Sequence, residues 1–264
     1  MAIINLTPDS FYDASRHTSI EEVRADVERA VCAGATIIDL GGYSSRPGAE
    51  DVSIEEEWRR VRMGLDVVRD MKHSIAVSID TFRSDIVSRA VKEYGEVIVN
   101  DISAGELDCK MIDVVAEIGT PYVAMHMRGV PQSMQSMTDY ECGVVSGVKE
   151  YFVQRVETLC ERGIEHSNIV LDPGFGFAKS PMQSLELLAH IEELRDFGCP
   201  ILVGVSRKSM IYRTLNITPQ QALPGSLALG WEALRRGASI LRVHDVAETR
   251  QIVDLYNSFK TYTR

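Results

Sequence analysis

No stretch of the sequence approaches the ~20 consecutive apolar residues of a membrane span. The opening MAIINLTPDS lacks the basic region and long apolar run of a signal peptide. Cysteine is sparse: Cys32, Cys109, Cys142, Cys160 and Cys199 are odd in number and contain no C-x-x-C pair. That argues for free thiols in a reducing compartment, and against a disulfide frame or a zinc site. Positive charge is also short, and a formal net charge of −10 speaks against broad nucleic-acid binding. An anionic ligand must then be drawn by a local basic cluster. No Walker loop, G-x-S-x-G elbow or H-E-x-x-H is present, so P-loop chemistry, serine hydrolysis and zinc proteolysis have no support. The expectation is a cytoplasmic enzyme or binding protein that engages neither nucleic acid nor membrane.

What the sequence does contain is alternation. Short β-rich runs at 2–5, 36–40, 75–79, 97–100, 122–126, 169–172, 201–205 and 240–243 are separated by amphipathic, helix-period stretches. Capping-box spacing marks helix starts at Ser19/Glu22, Ser53/Glu56, Ser180/Gln183 and Thr218/Gln221, with Pro181 and Pro219 at first helical positions. Gly34, Gly119 and Gly198 sit where helices should stop. Eight strand–helix units imply a parallel sheet closed into an α/β (β/α)8 TIM barrel, one domain over residues 1–264. The competing doubly wound sheet usually carries a Gly-rich dinucleotide fingerprint after its first strand, and none is found.

The polar residues that interrupt this pattern gather at strand C-terminal ends, the active-site face of a barrel. They are Asn5, Asp39, Asp80, Asn100, His126, Asp172, Ser206 to Lys208 and Arg242 to His244. The stretch DPGFGFAKS (172–180) places a carboxylate where a strand ends, beside Phe175 and Phe177 and two turn-permitting glycines, Gly174 and Gly176. Asp80, Asn100 and Asp172, if they converge, match the donor and acceptor edges of a flat polar heterocycle such as a 2-amino-4-oxo ring. The plain structural alternatives are a helix cap for Asp80 or Asp172 and a strand-end turn for Asn100, where Asp101 serves equally well. Ser206, Arg207 and Lys208 after strand seven, with Arg242 and His244 after strand eight, occupy the usual phosphate corner of a barrel. Asn5 on the neighbouring first strand could add an oxygen ligand for Mg2+. His126 has no partner at metal spacing and reads as structural, and Met125 and Met127 read as packing or a soft pocket wall. Loops 6–18 and 41–52 open onto the same face and read as lids.

The blocks INLTPDSF (4–11), DLGGYSSRPGA (39–49), SIDT (78–81), VNDIS (99–103), MHMRG (125–129), DPGFGFAKS, GVSRKS (204–209) and RVHDV (242–246) resemble dihydropteroate synthases in order and spacing. The resemblance covers essentially the whole chain. It implies a Mg2+-assisted transferase of folate biosynthesis and a sulfonamide target, working as a homodimer. Such an enzyme condenses 6-hydroxymethyl-7,8-dihydropterin pyrophosphate with p-aminobenzoate in an SN1-like displacement. Carried over by motif, Asp80, Asn100, Asp172 and Lys208 hold the pterin in a slot lined by Met125, Phe177 and Gly204. Asn5, Arg242 and His244 meet the pyrophosphate and Mg2+, with Asn5 the metal ligand. Ser45, Arg46, Pro47, Phe177, Ser206 and Lys208 surround p-aminobenzoate, and Asp13, Arg46, Lys208, Arg242 and His244 are the implied catalytic set. The chain departs from the family pattern at Ala14 and Ser15 in the first lid, at Tyr43 and Ser45 in the second, and at Ala178. Two alternatives remain at this level. One is a pterin-dependent methyltransferase acting on methyltetrahydrofolate and a corrinoid protein, which has no need of a pyrophosphate corner. The other is a non-catalytic pterin-binding barrel with altered lids.

Overall fold

The computed structural model describes residues 1–7, 19–44, 51–71, 74–130 and 133–262. Strands and helices alternate throughout: β1 (Ala2–Asn5), α1 (Ile20–Cys32), β2 (Ile37–Gly41), α2 (Ile54–Asp70), β3 (Ala76–Asp80), α3 (Ser84–Tyr94), β4 (Ile98–Asp101), α4 (Met111–Ile118), β5 (Tyr122–Met125), α5 (Val144–Glu161), β6 (Ile169–Asp172) and α6 (Pro181–Ala189). There follow β7 (Leu202–Val203), the short α7 (Ser209–Tyr212), α8 (Leu223–Arg235), β8 (Ile240–Leu241) and α9 (Val246–Lys260). Strands β1 to β6 form one parallel sheet in sequence order, and β7 pairs with β8 in parallel. Two bridges join these pieces into a closed barrel, Leu171 to Ile201 between β6 and β7 and Ala2 to Val243 between β8 and β1. The second seam exchanges two bonds, Ile3 N–H to Val243 O and Val243 N–H to Met1 O, both 3.0 Å. All eight expected strands form, with β7 and β8 trimmed to two residues each.

The expected helix signals act as capping chemistry predicts. Ser19 and Ser180 both make reciprocal capping boxes, and Ser53 accepts from Glu56 N–H. Gly119 and Gly198 terminate their helical segments in the left-handed conformation. Thr218 starts a 3-10 turn (Pro219–Ala222) that runs into α8 instead of a helix of its own. Strand periodicity divides the two faces of the barrel wall. Ile38 and Leu40 of β2 and Ile79 of β3 are fully buried with Val27, Val61 and Ile86 from the helices. Asp39, between them, points the other way into the barrel. Close packing sets the helix distance: a Cβ added to Gly64 of α2 would lie 3.0–3.1 Å from Leu6 and Leu40.

Candidate active site

Strand register lays the expected polar residues in a row at the barrel mouth. Asn5 lies opposite Gly41, Gly41 opposite Asp80, and Asp80 opposite Asn100. Met125 pairs with Asp172 further round. Each plain structural alternative for these residues is taken up by a neighbour. Helix α3 has its first N–H held by Asp108 at 2.8 Å, so Asp80 is not its cap. Asp101 makes the turn after β4, accepting from Ser103 N–H, Gly105 N–H and Tyr122 O–H at 2.7–2.8 Å. Ser180 caps α6, and among the described residues Asp172 accepts from Gly174 N–H, at 2.8 Å. Asp80, Asn100 and Asp172 are thus left to the barrel interior.

The cations meet them there. Arg242 donates through Nε to Asp39 and through Nη2 to Asp80, both at 2.5 Å. Asn100 Nδ2 also points at Asp39, 3.2 and 3.4 Å from its two oxygens. Asp39 is fully buried, whereas the side chains of Arg242 and Asp80 are 21% and 23% exposed. Burial raises the pKa of Asp80, to about 7, against the pull of Arg242 and with the push of Asp39. Against the cost of burial, Asp39 and Asp80 together raise that of Arg242. Burial also raises the pKa of Asp172, against the Lys208 charge and the Gly174 N–H. Lys208 donates to Phe175 O at 2.6 Å, and its amine stands 5.0 Å from the centre of the Phe177 ring. Burial lowers its pKa to about 8, though Asp172 works the other way. Gly204 lies beside this group: a Cβ there would stand 3.9 Å from the Lys208 amine and 4.0 Å from Arg242 Cβ, ordinary van der Waals contact.

Ser206 and His244 complete the corner. Ser206 Oγ accepts from His244 N–H at 3.3 Å and lies 3.2 Å from its Nδ1. Burial, then the Arg242 charge, pushes the His244 pKa down to about 4, so the ring is neutral at pH 7 and works as a hydrogen-bonding group. Arg207 does not join them. Its guanidinium is bidentate to Asp245 at 2.7 and 2.9 Å and bonds the carbonyls of Pro219 and Gln220. Those contacts hold it at φ +54°, a conformation few non-glycine residues adopt. It shapes the loop that carries Lys208.

Two structural groups carried no assigned role in the sequence. Asp39 was named only as one of the polar residues at strand C-terminal ends. Lys179 gave no signal at all, yet it is buried and donates to Gly174 O and Phe177 O at 3.0 Å, with its amine 2.7 Å from His126 Nδ1. Burial and then this ammonium lower the His126 pKa, which leaves Nδ1 free to accept. His126 is structural, as expected. The loop it supports is tight: Gly174 has φ +67°, and a Cβ there would sit 2.1 Å from His126 O. Ala178 occupies the same left-handed region at φ +51°, so glycine-to-alanine there is not neutral to the backbone. Met125 and Met127 pack with Ile102, Met134 and Ala178 beside the partly buried Phe177. Asp13, Ser45, Arg46 and Pro47, together with Ala14 and Ser15, lie outside the described residues. Among the described residues no group of three or more His, Cys, Asp or Glu side chains could hold a metal ion, and no helix is long and apolar enough to cross a membrane.

Comparison with known proteins gives one answer. The profile of the family described as pterin binding enzyme matches residues 1–244. The dihydropteroate synthase of Escherichia coli (strain K12) is 41% identical over 249 residues, covering 94% of this chain and 87% of that protein. A crystal structure of Yersinia pestis dihydropteroate synthase with a sulfonamide drug superposes with a TM-score of 0.92 at 35% identity, covering 99% of this chain and 93% of that one. Xanthomonas albilineans dihydropteroate synthase in complex with 7,8-dihydropteroate gives a TM-score of 0.84 at 34% identity, covering 98% and 92%. With this fold, this polar row and these relatives, the chain belongs to the dihydropteroate synthase family of pterin-binding enzymes.

Proposed function

We propose that this site condenses 6-hydroxymethyl-7,8-dihydropterin pyrophosphate with p-aminobenzoate to give 7,8-dihydropteroate and pyrophosphate. The observation that carries the reading is the meeting of Asp80, Asn100 and Asp172 with Arg242 and Lys208 at one barrel mouth. It joins acceptors for a flat N–H-rich ring to cations for its phosphate tail. The Xanthomonas relative holds the proposed product, and the Yersinia relative holds a sulfonamide, a class we expect this enzyme to bind as well.

The buried carboxylates fix the pterin, and the Met125 wall and Phe177 ring cover its faces. The methylene C–O bond breaks early, its electron pair leaving with pyrophosphate. The arylamine nitrogen then attacks the electron-poor carbon and gives up a proton. Arg242, at the phosphate corner, stabilises charge that develops as the bond breaks, and His244 donates a neutral hydrogen bond beside it. No side-chain nucleophile is required. Asp13, Arg46, Ser45 and Pro47 are assigned to p-aminobenzoate and catalysis on sequence resemblance alone, and Ser206 and Lys208 join them from the barrel.

The donor set bears on Mg2+ too. Asn5 offers a side-chain oxygen at the phosphate corner, 3.8 Å from where a Gly41 Cβ would stand, with no carboxylate cage around it among the described residues. That fits an ion held mainly by substrate phosphates and water, with Asn5 as protein ligand. When bound, Mg2+ would supply charge neutralisation at the leaving group. We further propose a single catalytic domain acting as a homodimer in the cytoplasm, where the five free cysteines stay reduced.

The deciding experiment is pyrophosphate release from the purified protein with the dihydropterin pyrophosphate, p-aminobenzoate and Mg2+. Release is expected to need both substrates and to fall at least about 100-fold in Asp172→Asn. Pterin binding without release dependent on p-aminobenzoate would instead favour a non-catalytic pterin-binding barrel.

A further inference from the structure

We propose that Asp39 is the positioning residue of the phosphate corner: it keeps Arg242 by Nε when the pterin displaces Nη2 from Asp80. The inference rests on the synthase reading above and asks how one arginine serves two neighbours. Arg242 bridges two carboxylates at 2.5 Å, and those carboxylates are not equivalent. Asp80 ends β3, and its side chain is 23% exposed at the mouth, where an incoming heterocycle can replace the guanidinium. Asp39 sits two residues before the end of β2, with a side chain that has no exposed surface. No ligand reaches it. It is also fixed from the other side by Asn100 Nδ2, so it cannot follow the arginine outward.

The consequence is directional. A guanidinium anchored through Nε on a buried, stationary acceptor has its two Nη groups free to turn toward an anion in bidentate geometry. Held by Asp80 alone, it would be released or misplaced each time the pterin bound. Asp39 thus separates the pterin contact from the phosphate contact, and it touches no reacting atom itself.

A double-mutant cycle tests this. Wild-type turnover is measured first, because a wild type that binds no pterin and releases no pyrophosphate overturns the synthase reading, not this one. Given an active wild type, Asp39→Asn is expected to lower kcat about tenfold with KM for p-aminobenzoate unchanged within about twofold. In an Arg242→Gln background the same change should cost less than about twofold in kcat, since the two residues act through one contact. Equal losses in both backgrounds, or an unchanged kcat in the single variant, would overturn the proposal. A measurement on the wild type avoids any folding defect of the variants. The Arg242 Nε–H proton, assigned by its loss in Arg242→Lys, should stay protected from solvent exchange when the dihydropterin pyrophosphate binds. Its exposure on binding would show that Arg242 leaves Asp39, and the proposal would fail.

Discussion

At the scale of single residues, burial decides the protonation states that the chemistry needs. Folded Lys208 titrates near 8, below its ordinary 10.5. Its buried charge therefore subtracts from stability at pH 7, and that penalty fades as pH rises from about 8 to 10.5, where the unfolded chain binds more protons. For binding the sign is opposite: the ammonium is lost from the free enzyme above about pH 8. The kcat/KM profile for the pterin substrate should fall on the alkaline side with an apparent pKa near 8, and Lys208→Arg should move that limb beyond the measurable range. A flat profile to pH 10 would remove Lys208 from the ligand contacts. Arg242 is expected to behave differently from the pterin carboxylates. Arg242→Gln should lower kcat by about 10²-fold or more while raising the pterin KM far less, because its charge matters most as pyrophosphate departs.

At the scale of elements, the loops after β6 and β7 are each held by a buried basic side chain. Lys179 gathers the carbonyls of Gly174 and Phe177 and the His126 ring, tying the turn after β6 to the exit of β5. Lys179→Met keeps the stem but leaves those acceptors unmatched. It should cost about 3 kcal/mol, read as a lowered urea midpoint at unchanged m, and it should weaken pterin binding through the displaced Phe177. Arg207 does the same for the loop after β7 through Asp245. The sequence grouped Arg207 with Ser206 and Lys208 as one basic cluster. Adjacent side chains on a strained turn diverge, and composition does not reveal which of three neighbours faces the ligand.

At the scale of the whole molecule, the barrel is a six-stranded sheet closed by a short pair, and its weakest line is the seam. Strands β2 and β3 share five register pairs, whereas β8 meets β1, and β6 meets β7, each through a single bridge. Sub-global opening should begin there. In native-state hydrogen exchange the amides of Ile3 and Val243 are expected to exchange well before those of Ile79 and Val99. Uniform protection across the barrel would instead indicate closure as strong as the sheet interior.

The sequence by itself determined the eight strand–helix units, the starts at Ser19, Ser53 and Ser180, and the stops at Gly34, Gly119 and Gly198, because periodicity and capping are local. It also placed Asp80, Asn100, Asp172 and Arg242 at strand ends, since a polar residue closing an apolar run is visible without coordinates. Only the tertiary structure decided who pairs with whom. Arg242 lies 203 residues from Asp39 and 162 from Asp80, and they meet because barrel closure brings β8 beside β1. The partners of Lys179 and Asp39 were hidden for the same reason. A buried charge is defined by the partners that offset its desolvation, and those partners come from strands that the linear order keeps apart.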